Sequence, residues 1–177
     1  MDDDRKHRFE AVYLKTYEHI LGYATRRCDS PHDAADVVAE TFAIAWRRVD
    51  DLPADGEARL WLYGVARNVL ANHRRGVARH RHHSVELDTD LADLYSSSPE
   101  GSVLLGEIGR AFRQLPGDDR ELISLVAWEG LDHGEIAKVL GCSRNAVRIR
   151  LYRARKRLSK ALAGAGVATH HLVMESA

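Results

Sequence analysis

Leu131 to Leu158, LDHGEIAKVLGCSRNAVRIRLYRARKRL, is the stretch whose reading decides the fold. Glu135, Ile136, Ala137, Val139 and Leu140 predict a short amphipathic helix. Gly141 follows where a helix stops readily, because glycine takes positive φ without steric cost. Ser143 sits where an N-cap belongs, its hydroxyl able to accept a backbone N–H of the next turn. The second helix has an apolar stripe at Val147, Leu151, Ala154 and Leu158, spaced four, three and four, so one face is buried. The other face carries Arg148, Tyr152, Arg153 and Lys156, with Asn145 and Ile149 nearby. That is the layout of a helix-turn-helix whose second helix enters a DNA major groove.

Charge agrees. From Ile136 to Lys160 there are nine Lys or Arg residues and no acid. A basic helix that only faces water usually interleaves Glu for i,i+4 pairs. This one does not, which argues for a polyanionic partner over a solvated basic helix or a coiled-coil arm.

The whole chain is neutral, with 26 basic and 26 acidic residues. That zero is a sum of separated blocks. Residues 1–60 hold thirteen acids against nine bases, and residues 61–84 hold five arginines and no acid. Residues 85–101 hold five acids and no base, and residues 102–135 seven acids against three bases. Only fields within about 10 Å matter at cellular salt. Two basic patches separated by an acidic strap predict two contacts with nucleic acid and an acidic surface for another partner.

The length allows one domain or two small ones. No apolar run is long enough to span a membrane, and the acidic start MDDDRKHRFE is not a signal peptide. Cys28 and Cys142 are too few for a disulfide framework and match no zinc spacing. A bacterial-type cytoplasmic location with both thiols reduced is the simplest fit. No cofactor is expected.

Residues 7–27 predict a first helix, with Phe9, Val12, Tyr13, Tyr17, Ile20, Leu21 and Ala24 recurring at three and four. Ser30 and Pro31 form an N-cap followed by a first-turn proline. The next helix is expected over 31–48, with Ala34, Val37, Val38, Thr41, Phe42, Ala45 and Trp46 inside. Its outer face carries Asp33, Asp36 and Glu40, with Arg47 and Arg48 at the end. These charges also suit the helix dipole. Asp50 to Glu57 reads as a loop. A third helix is predicted over 59–76, with Leu62, Val65, Ala66, Val69 and Leu70 facing a core. Trp61, Tyr63, Arg67, Asn68, Asn72, Arg74 and Arg75 then offer rings, amides and charge of the kind that suits single-stranded bases. Trp61 can equally be core.

Residues 77–101 read as a linker with a short helical turn at 88–94. His80, His82 and His83 lack the further ligands that a tetrahedral zinc site needs, so a basic, phosphate-friendly linker fits better. A helix is expected over 103–114 and another through Trp128, capped by Asp118 or Asp119. The fold class is therefore all-α: two small helical domains, 7–76 and 102–163, with a flexible linker between them. The tail 164–177 shows no clear period.

LPGDDRELISLVAWEGLDHGEIAKVLGCSRNAVRIRLYRARKRL resembles region four of the extracytoplasmic-function (ECF) sigma factors of bacterial RNA polymerase. DAADVVAETFAIAWRRVDDL followed by RLWLYGVARNVLANHRR resembles their region two. The likeness covers roughly residues 9–76 and 102–163, in order. It implies a transcription initiation factor that binds core polymerase and directs it to promoters. Asp33, Asp36, Glu40, Thr41 and Phe42 resemble the surface that grips the coiled coil of the largest subunit, with Ala39 where the family often has Gln. Contact with the polymerase flap is implied as well. The Asp50–Glu57 loop and the helix after it resemble the element that melts the −10 region and holds a flipped base. Its candidates are Arg59, Trp61, Arg67, Asn68, Asn72, Arg74 and Arg75. Arg67 and Asn68 match the family's Ala-Arg-Asn, and Asn72 stands where Asp is common.

In region four, Arg148, Ile149, Tyr152 and Arg153 match positions that meet the −35 element. Ile149 stands where a small hydroxyl residue is usual and can pack on a thymine methyl. Arg148 and Arg153 can each reach a guanine edge bidentately or clamp a phosphate. Arg144, Asn145 and Lys156 complete the −35 candidates, of which Arg144 and Lys156 suit phosphate or solvent. Arg150 and Arg155 suit phosphate or solvent. The resemblance also implies an anti-sigma protein as partner and a monomer when free. Two other readings are a conventional helix-turn-helix regulator and an enzyme. The first needs a ligand pocket or dimer helix. The second needs a nucleophile with its base, a phosphate loop or a metal set. Neither feature is seen in the sequence.

Overall fold

The computed structural model describes residues 2–53, 56–80 and 99–164. Helices α1 (Asp2–Thr25), α2 (Pro31–Arg47) and α3 (Ala58–His80) make one compact unit, with a 3-10 turn at Val49–Asp51. Helices α4 (Pro99–Arg113), α5 (Gly117–Ala127), α6 (His133–Leu140), as far as Ala137, and α7 (Arg144–Gly164) make the other. No strand occurs among the described residues. The all-α class expected from the sequence is what the chain adopts.

α1 begins at Asp2 rather than His7, because the acids Asp3 and Asp4 in its first turn are stabilised by the dipole. Lys6 and Glu10 add an i,i+4 pair at 3.8 Å. α2 starts at the expected cap: the Asp33 N–H donates to Ser30 Oγ at 3.1 Å, with Pro31 in the first turn. The core of this unit holds Ile20, Tyr23, Ala24, Val37, Val38, Ala45, Leu62, Tyr63, Ala66 and Leu70. An aromatic ladder runs along α1, with Phe9, Tyr13 and Tyr17 packed against Phe42 at centroid distances of 6.4, 4.7 and 6.2 Å.

α3 continues past Gly76 to His80, since Val77, Ala78 and Arg79 contain no helix breaker. Of the predicted linker, 81–98 lies outside the described residues, as do His82, His83 and the turn expected at 88–94. The tail from residue 165 does too.

In the second unit α5 and α4 pack on α7. Leu122, Leu125, Ile136, Val147, Leu151, Ala154 and Leu162 are all nearly inaccessible. The expected cap at Asp118 or Asp119 is not used. α5 starts at Gly117 after Pro116, with no side-chain cap bond, so both carboxylates lie inside the first turn. Asp119 instead turns inward and accepts a hydrogen bond from Arg157 Nη1 of α7 at 2.6 Å. Packing between helices has taken the side chain that local preference assigned to the end.

Candidate nucleic-acid interface

The turn between α6 and α7 is built from local interactions. Asp132 caps α6: its Oδ1 accepts from the N–H groups of Gly134 and Glu135 at 2.6 and 2.9 Å. Glu135 Oε2 reaches back to the Asp132 N–H at 2.9 Å, completing a capping box. Those backbone donors hold the Asp132 carboxyl below its ordinary value of 3.8. Gly141 ends α6 at φ 63°, ψ 39°, where a side chain would be strained. The Ala146 N–H donates to Ser143 Oγ at 3.1 Å, the expected cap of α7.

α7 buries Val147, Leu151 and Ala154 and leaves Leu158 half-buried. Asn145, Ile149, Tyr152 and Lys156 are exposed on the side opposite this stripe, with exposed Arg148 and Arg153 flanking them. Ile149 is 40% exposed and Tyr152 61%. An isoleucine and a tyrosine left open between two arginines on a basic helix form a surface that can meet both base edges and phosphates. Arg144 is exposed at the first turn. Arg148 Nη2 donates to Asn145 Oδ1 at 3.0 Å. Arg157, itself largely exposed, pairs with Asp119, whose side chain is only 9% exposed. It is a structural cation within a basic run.

α3 is organised differently. At roughly 100° per residue, Trp61, Asn68, Asn72 and Arg75 share one stripe. Arg67 and Arg74 lie on a flank of the helix, and Arg59 is half-buried nearer the core side. Tyr63 is fully buried and packs at a tilt against Tyr23, with ring centroids 5.2 Å apart, so it is core and not a surface ring. Trp61 is half-exposed, and the Arg48 guanidinium lies 5.4 Å from its ring centroid. Arg48 is itself steadied by Asp51 Oδ2 at 3.1 Å. Arg74 donates to the Arg27 carbonyl at 3.0 Å, tying α3 to the end of α1. Arg75 donates to Asn72 Oδ1.

On α2, Asp36 and Glu40 are exposed one turn apart. Asp33 is half-buried: it accepts from Ser30 Oγ at 2.8 Å and pairs with His73 Nε2 of α3 at 3.4 Å. Thr41 and Phe42 depart from their expected place on a partner surface. Thr41 is fully buried, its hydroxyl donating to the Val37 carbonyl at 2.7 Å, and Phe42 is 5% exposed within the aromatic ladder. Both fall on the inner side of α2, which packs on α1 and α3. Cys28 lies near Asp33 and Arg74. Burial first, then the negative charge of Asp33, pushes its thiol up to about 11.

Among the described residues, no group of three or more His, Cys, Asp or Glu is placed to hold a metal ion. No helix among them is long and apolar enough to cross a membrane. Sequence reading missed the Asp132–Glu135 capping box, although its D-x-x-E spacing carried the signal. It also missed the pairs Asp119–Arg157, Asp33–His73 and Arg48–Trp61, which join separate helices and have no local signature.

Two family descriptions match the chain: Sigma-70 region 2 over residues 12–80, and Sigma-70, region 4 over residues 105–158. The RNA polymerase sigma-H factor of Pseudomonas aeruginosa is 34% identical over 172 residues, covering 89% of this chain and 87% of that protein. The ECF RNA polymerase sigma-E factor of Escherichia coli is 32% identical over 152 residues, covering 79% of each. The chain belongs to the ECF sigma factors. It is thus a promoter-specific transcription initiation factor and not an enzyme. Among solved structures, the sigma factor RpoE of Bartonella quintana, in complex with the anti-sigma factor NepR, is similar to this sigma factor. Its TM-score is 0.68 at 25% identity, over 88% of this chain and 96% of that one. CnrH, in complex with the cytosolic domain of CnrY, matches with a TM-score of 0.63 at 26% identity over 88% of both chains.

Proposed function

We propose that this sigma factor binds core RNA polymerase and selects promoters by reading the −35 element as duplex with α7 and the −10 element as melted strand with α3. The observation that carries this reading is the open face of α7, where Ile149 and Tyr152 lie between Arg148 and Arg153. Arginine forks match the guanine edge, and Ile149 matches the thymine methyl. Arg144, Asn145 and Lys156 add donors and charge around them. On α3, the stripe of Trp61, Asn68, Asn72 and Arg75 supplies a ring and amides for unstacked bases. Arg59, Arg67 and Arg74 supply positive charge beside it. Opening is driven by capture of bases and needs no covalent step.

Asp36 and Glu40 are the acidic contacts for the coiled coil of the largest subunit, with Asp33 shaping the start of α2. The packing of Thr41 and Phe42 gives them a supporting role there. The second unit meets the flap. Joining the two promoter contacts in one holoenzyme raises the effective concentration of each. An anti-sigma protein is a further partner, in line with the complexes of the two similar sigma factors. The free protein is a cytoplasmic monomer. Run-off transcription with purified core polymerase on a library of promoter-like fragments tests the reading. Specific starts that appear only when the protein is added support it. Sequence-specific duplex binding by the protein alone, to which core adds nothing, makes it a conventional regulator instead.

A further inference from the structure

Asn145 and Arg148 lie one turn apart at the start of α7, both exposed, and joined by the 3.0 Å bond from Arg148 Nη2 to Asn145 Oδ1. Asn145 is not occupied in closing the helix end, since Ser143 Oγ takes the Ala146 N–H. A guanidinium only donates, so it fixes which end of the Asn145 amide faces it. The oxygen turns to Arg148 and the NH₂ group turns outward. Two consequences follow from the chemistry. The acceptor is neutral, so Arg148 is held without losing its charge. Arg157, on the same helix, is held by the Asp119 carboxylate and has its charge compensated. And with its oxygen turned to Arg148, Asn145 presents its NH₂ outward, whereas a bidentate adenine contact needs the oxygen and the NH₂ to face the base together.

We propose that Asn145 is a positioning residue that sets base specificity at the −35 element. It holds the Arg148 guanidinium ready for a guanine edge, and with its oxygen turned to that guanidinium it does not pair bidentately with adenine. This inference rests on α7 being the −35 helix. Its mechanism is preorganisation: a side chain already held in place has less rotamer freedom to lose when it meets its base.

The test is run-off transcription by the holoenzyme on promoters permuted at each −35 base, with the unaltered protein, Arg148→Ala, Asn145→Ala and Asn145→Asp. Arg148→Ala identifies the base pair whose guanine preference depends on that residue. Asn145→Ala is expected to reduce that preference roughly 2- to 10-fold, and to leave the other −35 positions as they were. Asn145→Asp keeps an acceptor for Arg148 and is expected to keep the preference. It lowers output on every promoter, most strongly at low salt, because a carboxylate repels phosphates. Loss of the preference in both Asn145 variants, or in neither, overturns the proposal. If the unaltered protein shows no base dependence at −35, the assignment of α7 itself fails instead.

Discussion

The two helices proposed to meet DNA, α3 and α7, differ in how their outer faces are made. The limits of α7 are set by neighbours in the chain: Gly141 ends α6, Ser143 opens α7, and a regular apolar stripe turns the remaining residues outward. The outer face of α3 takes contacts from other elements. Exposed Arg74 is tied to the Arg27 carbonyl just past α1, and the Trp61 ring lies beneath Arg48. A duplex reader can be a helix that presents side chains to a groove of fixed shape. A surface that captures single bases must be shaped by several elements at once, so its residues take part in packing as well as recognition.

The sharpest way to break this contrast is at Tyr63. Replacing this fully buried ring in Tyr63→Ala should cost about 3–5 kcal/mol of stability, the usual range for an aromatic core truncation, read by denaturant unfolding. Unchanged stability with weakened −10 opening would return Tyr63 to the surface and erase the difference between the helices. On α7 the expectation is reversed. Arg148→Ala should leave unfolding within about 0.5 kcal/mol and reduce discrimination at one −35 base pair by about 1–3 kcal/mol, measured by competition between promoters. A large drop in melting temperature would mean that Arg148, like Arg157, helps to hold the helix in place.

The local construction of the turn can be tested with Ser143→Ala. Loss of the cap should destabilise the protein by about 1 kcal/mol, and Ser143→Asp should restore it; equal melting of all three would mean the cap contributes nothing. The smallest effect concerns pH. The Asp132 carboxyl titrates below its ordinary value in the folded protein, held there by the N–H groups of Glu135 and Gly134. A depressed carboxyl adds stability above its unfolded value, and this is lost as pH falls through the folded one. Asp132→Asn keeps an acceptor but does not titrate there. Thermal unfolding followed from about pH 5 downward should therefore fall less steeply for Asp132→Asn than for the unaltered protein, and parallel curves would remove Asp132 from the acid response.

Legibility in the sequence followed the same division. The Ser30 and Ser143 caps and the Gly141 stop were readable because each depends on residues within one turn of one another. The buried stripe of α7 was readable because its spacing is regular. Faces of longer helices were not. Tyr63 follows Trp61 by two positions, and nothing local says which ring turns inward; contact with Tyr23, forty residues away in the chain, decides it. Thr41 and Phe42 sit beside Glu40 in sequence but turn to the inner side of the helix in space. Asp119 had the composition of a cap and became the partner of Arg157, 38 residues on. In the candidate site, therefore, the exposed face of α7 could be listed from sequence, whereas the division of α2 and α3 into inner and outer residues required the packed structure.

The Asp119–Arg157 pair has a geometric consequence. Nine residues separate Arg148 from Arg157, two and a half helical turns, so the two side chains leave the axis in roughly opposite directions. With Arg157 paired to Asp119 of α5 and the stripe of Val147, Leu151 and Ala154 buried, the azimuth at which Arg148 and Tyr152 emerge is set from the other side of the helix. One residue inserted between the latch and the reading face would rotate that face by roughly 100°. In this helix the angular phase is held as firmly as the identity of the side chains that depend on it.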